Sequence, residues 1–180
     1  MIRIFFIICC FLSIQKDEPI ISWNESYRLS WTDFKAQPNN NVEAVAITAS
    51  GITFGFSITQ TDSDKVVGFS TEVYAHFYPE QSWYKIEQAD THVLGHEQLH
   101  FDITELHARK FRQHISLLKT SNTIRNELKQ LHNAINKELA ELQNKYDDET
   151  DYSRNVAAQT KWKTYIEAEL KKLAQFKSED

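Results

Sequence analysis

The sequence predicts an α+β fold, an N-terminal antiparallel sheet followed by three helices, with His96-Glu97-Gln98-Leu99-His100 on the first long helix. Three observations predict it. Residues 42–77 are rich in Val, Ile, Thr and Phe, whereas the chain from Asp90 onward carries apolar residues at helical spacing and no proline. Strands first and helices after is the order of a domain whose helices pack on one face of an antiparallel sheet. The H-E-x-x-H spacing belongs on a helix, because positions four apart share one helix face.

The first residues are of another kind. Arg3 precedes the apolar run Ile4 to Leu12, too short to span a hydrocarbon core of about 30 Å, and polarity returns at Gln15-Lys16-Asp17-Glu18. This is the shape of a secretory signal peptide over residues 1–15, with an uncleaved membrane anchor as the alternative. The expected address is therefore exported: periplasm, cell envelope or extracellular space. Cys9 and Cys10 both fall in this segment, so residues 16–180 carry no disulfide and no thiol chemistry. Those residues read as a single domain, long enough for its own core.

The elements follow in order. Tyr27-Arg28-Leu29-Ser30-Trp31 reads as a short strand, followed by a helical turn at Thr32-Asp33-Phe34. Val42 to Thr59 reads as a strand in which Gly51 and Gly55 mark bulges or close backbone approaches. Thr61-Asp62-Ser63-Asp64 is a turn, and Val66 to Phe77 is the returning strand, with Thr71, Val73 and His76 as sheet residues. From about Asp90 to Lys119 the only glycine is Gly95. Asp90 or Thr91 caps this helix, and Lys119-Thr120-Ser121-Asn122 ends it. Val93, Leu99, Ile103, Leu106, Phe111 and Leu117 keep its apolar period. Two further helices run from about Thr123 to Tyr146 and from about Asn155 to Phe176, each with an apolar stripe.

The motif carries the chemistry. His96 and His100 can offer imidazole nitrogens to one zinc ion, with Glu97 as general base for a zinc-activated water. The bland alternative is a solvated helix whose histidines happen to stand four apart. A catalytic zinc usually has three protein ligands. On the same stripe, His107 lies about 10 Å beyond His100 and His114 about twice as far, out of reach of the same ion. They read as groove or packing residues, with His107 an outside candidate for substrate contact. His92, one turn before His96, would strain a tetrahedral site. The extended metzincin motif fails, since Ile103 replaces its glycine and Leu106 its third histidine. Asp102 and Glu105 point away from His96 and read as ion-pair or supporting residues, Glu105 with Arg109 at i, i+4. The third ligand must come from elsewhere.

A formal charge of −5 without a basic cluster excludes the electrostatic footprint of nucleic-acid binding. No membrane contact is expected beyond the N-terminal signal or anchor. The acidic stretch from Asp147 to Asp151 is most simply solvated surface.

Several segments together resemble a bacterial family of predicted secreted zinc-dependent proteases, catalogued as domain of unknown function 922. They are Leu29-Ser30-Trp31-Thr32-Asp33-Phe34-Lys35, Ala49-Ser50-Gly51-Ile52, His96 through Glu105, Tyr146-Asp147-Asp148-Glu149-Thr150-Asp151-Tyr152-Ser153, and Gln159 with Trp162. The resemblance implies a zincin-like metalloprotease domain, Zn2+ as cofactor, and a peptide or protein as substrate. In the family pattern a histidine stands where this chain has Tyr152. The resemblance therefore points to Tyr152 as third zinc ligand, through its phenolate, or as a hydrogen-bond donor to a developing oxyanion. Asp151 and Glu149 are the carboxylate alternatives. The expected function is a secreted zinc metallopeptidase, with a sheet edge near the motif helix taking an extended peptide by strand addition. The departure at Tyr152 favours the alternative, a degenerate, non-catalytic zinc-binding or envelope interaction protein.

Overall fold

A computed structural model describes residues 19–178, so the signal peptide or anchor expected over residues 1–15 lies outside the described residues. The architecture is α+β, antiparallel sheets followed by three helices. Two long strands, β3 (Ser50–Gln60) and β4 (Val66–Phe77), form an antiparallel hairpin. Their apolar residues alternate, as a half-buried sheet requires. Ile52, Phe54 and Ile58 of β3 lie opposite Ala75, Val73 and Phe69 of β4, and with Phe56 they pack into the core. Thr61 to Lys65 closes the hairpin, with Lys65 O accepting from Thr61 N at 2.9 Å and Asp64 in the left-handed region at φ 61°. The other edge of β4 pairs with the short β1 (Ile21–Ser22). A second, two-stranded sheet joins β2 (Ala46–Ile47) to β5 (Trp83–Tyr84).

Helix α1 (Thr91–Ser116) starts where Asp90 accepts a hydrogen bond from Val93 N at 2.8 Å. It is the centre of the fold. On one side Phe101, Ala108, Phe111 and Ile115 pack with Val73, Ala75 and Phe77 of the sheet. On the other, Leu99, Ile103 and Leu106 pack with Leu139 and Tyr146 of α2 (Ile124–Thr150) and with Trp162 and Ile166 of α3 (Val156–Lys172). A helix covered on both sides buries its polar residues as well, and each of those needs a partner.

Two of them find partners that tie the molecule together. Asp102 accepts from Trp23 Nε1 at 2.7 Å and from Gln98 Nε2 at 2.9 Å, with Arg28 Nη1 at 3.4 Å. Glu105 pairs with Arg109 at 2.8 Å and Arg112 at 3.3 Å. These guanidinium groups in turn donate to Val73 O, Leu170 O and Phe176 O. Removing one partner from such a buried ion pair costs about 3–5 kcal/mol, because the other charge is left without compensation.

Several boundaries differ from the sequence reading. Tyr27–Trp31 is not a strand, because β1 already occupies the available edge of β4. That segment is held instead by α1, Leu29 N donating to Gln98 Oε1 at 2.8 Å, and Trp31–Asp33 forms a 3-10 turn. The stretch from Val42 breaks into β2 and β3, each with its own partner strand. Register is continuous through Gly51 and Gly55, and the irregularity lies at Thr59 and Gln60. Helix α2 runs four residues beyond Tyr146, to Thr150. Among the described residues no helix is long and apolar enough to cross a membrane.

Candidate metal centre

The four-residue spacing on α1 places His96 and His100 side by side, their Nε2 atoms 3.2 Å apart. Both side chains are buried. The last turns of α2 bring a third donor, since Asp147 Oδ1 lies 3.0 Å from His96 Nε2 and 2.9 Å from His100 Nε2. Two imidazole nitrogens and one carboxylate oxygen thus converge, and this group can hold a metal ion. The triangle they form has sides of 2.9, 3.0 and 3.2 Å. Ligand atoms of a tetrahedral zinc site with bonds of about 2.0–2.1 Å stand about 3.3 Å apart, so the spacing fits with a small outward adjustment.

Hydrogen-bond accounting makes the same case. Gln143 Nε2 donates to Thr104 Oγ1 at 3.2 Å, so its Oε1 accepts from His100 Nδ1 at 2.7 Å. In the neutral ring, His100 Nε2 is then a lone pair aimed at a carboxylate oxygen, and only a proton or a cation between them makes that contact favourable. Burial lowers the His100 pKa, but the hydrogen bond to Asp147 and the charge of Glu97 outweigh it, and the net shift is upward. Burial likewise raises the Asp147 pKa, yet hydrogen bonds from His100 and His96 hold the carboxyl well below the usual carboxylate range.

Glu97 stands beside this group, 4% exposed, and its Oε2 is buried without a hydrogen-bond partner among the described residues. It and the three converging residues line a cavity of about 250 Å³. One wall is the segment from Ala44 to Thr48, which contains β2, and the other includes Gln143, Tyr152 and Ser153. The sequence profile of a bacterial family of unknown function, DUF922, matches residues 25–154, which span every residue of this centre. The chain belongs to that family. No curated protein and no solved structure matches it.

In this DUF922 chain the side chain that joins the two histidines is neither Tyr152 nor the carboxylate of Asp151 or Glu149. The converging carboxylate belongs to Asp147, and Tyr152 lies at the mouth of the same cavity, 58% exposed. The turn after α2 explains the difference. Asp151, Tyr152 and Ser153 all have positive φ, at 50°, 51° and 77°, so the chain leaves the helix sharply and carries Tyr152 to the rim. The other two carboxylates have partners elsewhere. Asp151 pairs with Arg154 at 2.6 Å, and Glu149 accepts from Trp162 Nε1 at 2.9 Å.

The remaining histidines of α1 are apart from the centre. His107 is sealed in the core, its Nδ1 donating to Ile103 O at 2.9 Å, so it contacts no substrate. His114 is exposed, and His92 donates to Ser153 O at 2.6 Å, bracing the turn that carries Tyr152. A second helix ending at Tyr146 leaves Asp147 in the exposed acidic stretch that follows it, so the sequence alone does not single it out. Continued to Thr150, that helix puts Asp147 one turn after Gln143, beside the buried stripe Leu139, Tyr146 and Thr150, and this spacing was the available signal.

Proposed function

We propose that this protein is an exported zinc-dependent metallopeptidase of zincin-like type, with Glu97 as general base. One observation carries the reading. His96 Nε2, His100 Nε2 and Asp147 Oδ1 converge within about 3 Å of one another, in one cavity with Glu97, whose buried Oε2 has no hydrogen-bond partner among the described residues. Zinc held there would polarise a scissile carbonyl and make water acidic near neutral pH.

The chain's own groups supply the rest. Glu97 Oε2 has no competing donor among the described residues and would take a proton from water and pass it to the leaving nitrogen. His96 and His100 hold position and transfer no proton. The cavity wall from Ala44 to Thr48 presents β2, whose strand partner β5 lies on one side only, as an edge for an extended peptide. The departure at Tyr152 favours a non-catalytic role, and Asp147 as a third candidate ligand supports the catalytic reading instead.

The test is to measure zinc per chain in the purified protein and hydrolysis of unstructured polypeptides, with and without a chelator. Stoichiometric zinc and chelator-sensitive cleavage are expected. Zinc with no cleavage of any polypeptide tried would return the protein to the non-catalytic class, and no zinc after supplementation would sink the metal reading.

A further inference from the structure

Each histidine of the centre has a second ring face or nitrogen that something must control. The two are controlled differently. His100 Nδ1 donates to Gln143 Oε1 at 2.7 Å, and Gln143 is itself fixed by Thr104 Oγ1 at 3.2 Å. Thr104 Oγ1 is tied to Ser50 Oγ at 2.7 Å and donates to His100 O at 3.1 Å, so the relay ends in the first residue of β3 and returns to His100. His96 has no such device, because its Nδ1 is buried with no hydrogen-bond partner among the described residues. Its ring lies instead on Tyr146, with centroids 4.5 Å apart and planes 21° from parallel. Tyr146 is fully buried and is braced edge-on by Trp162 at 5.4 Å.

Gln143, Tyr146 and Asp147 occupy adjacent positions on one face of α2, at i, i+3 and i+4. We propose that Gln143 and Tyr146 are the positioning residues of the metal centre, Gln143 fixing the tautomer and orientation of His100 by its hydrogen bond and Tyr146 fixing His96 by stacking. The proposal rests on the reading of His96, His100 and Asp147 as metal ligands. One helix face thus delivers the third ligand and the supports of the other two. A metal-bound histidine whose far nitrogen is held by an acceptor is pre-set for binding, and losing such a partner weakens metal affinity by about 10- to 100-fold.

The experiment uses the 15N-labelled protein, metal-free at a pH high enough to leave the His100 ring neutral and then titrated with zinc, reading the His100 tautomer by NMR and the zinc Kd. Gln143→Met is expected to leave His100 with mixed tautomers and to weaken zinc binding by about 10- to 100-fold, while Gln143→Glu, which keeps an acceptor, binds zinc no more weakly than the parent. A general loss of packing would not change the tautomer selectively. For Tyr146, Phe keeps the ring and forfeits only the 3.4 Å hydroxyl contact to His96 O, so a parental Kd is expected. Tyr146→Leu, if it folds, should bind zinc at least tenfold more weakly. An unchanged tautomer and Kd in Gln143→Met would overturn the role of Gln143, and a weakened Kd in Tyr146→Phe would overturn stacking as the role of Tyr146. If the parent binds no zinc, the metal reading fails, yet the metal-free tautomer still decides about Gln143. Nδ1–H in the parent and a mixture in Gln143→Met upholds it, and a mixture in both refutes it.

Discussion

Asp147 Oδ1 lies 2.9 Å from His100 Nε2, although the two residues are 47 positions apart in the chain. The contact exists because α1 is buried between the sheet and the other two helices, so the last turns of α2 pass directly over its N-terminal half. A carboxylate at this point has no apolar role to play. It accepts from the imidazoles beside it and offers an anionic ligand to a cation.

The assignment of Asp147 over Tyr152 is tested by metal content. Asp147→Ala leaves two imidazoles and an open side to the site, so zinc per chain should fall to near zero at micromolar free zinc. Tyr152→Phe should retain one zinc per chain, because the Tyr152 side chain is 58% exposed at the cavity rim while Asp147 fills the third corner. Zinc lost in Tyr152→Phe and kept in Asp147→Ala would reverse the assignment.

Glu97→Gln tests the base. The change is nearly isosteric and leaves the ligands untouched, but an amide oxygen cannot take up a proton at neutral pH. Zinc content should match the parent, and hydrolysis should drop by about 100- to 10,000-fold. Parental turnover in the zinc-loaded variant would remove Glu97 from the chemistry.

Periodicity carried most of the fold. The β3–β4 hairpin and the three helices repeat their apolar residues often enough to be read directly, and His96, Glu97 and His100 come together because four residues make one helical turn. What stayed hidden depends on tertiary partners. Tyr27–Trp31 has strand composition, yet the edge it would need is taken by β1. Asp147 looks like one of several solvated acids in Tyr146-Asp147-Asp148-Glu149, and only the helix continuing to Thr150 turns it inward while Glu149 turns towards Trp162. Local sequence supplies the period of an element, but which acidic residue meets the histidines is decided by how α1 and α2 pack.

The turn after α2 holds strain that can be relieved. Ser153 has φ 77°, and a left-handed non-glycine residue costs roughly 1–2 kcal/mol. Ser153→Gly removes that cost and adds some chain entropy to the unfolded state, so a net gain of about 0.5–1 kcal/mol is expected, seen as a rise of roughly 1–4 °C in Tm. His92 still donates to the backbone carbonyl of residue 153, so the turn should persist. A lowered Tm would mean that the Ser153 side chain contributes more than its backbone conformation costs.

His107 sets a pH dependence that is independent of the metal centre. Burial drives its pKa down from 6.5 to about 4, partly opposed by its hydrogen bond to Ile103 O. The unfolded chain therefore takes up a proton near pH 6.5 that the folded chain refuses until about pH 4. Stability from this residue is complete above pH 6.5 and is lost progressively as pH falls towards 4, by about 3 kcal/mol in all. Asp102, whose pKa burial raises, and His100, whose pKa is also raised, work in the opposite direction, while Asp147, whose pKa is lowered, works in the same direction, so the parent's profile mixes them. The difference between parent and His107→Gln isolates the histidine. In urea unfolding of the chelator-treated proteins, the variant should be the less stable at pH 7.5 and should lose less stability than the parent between pH 7 and pH 4.5. Parallel losses in the two proteins would show that His107 is protonated in the folded state as readily as in the unfolded chain.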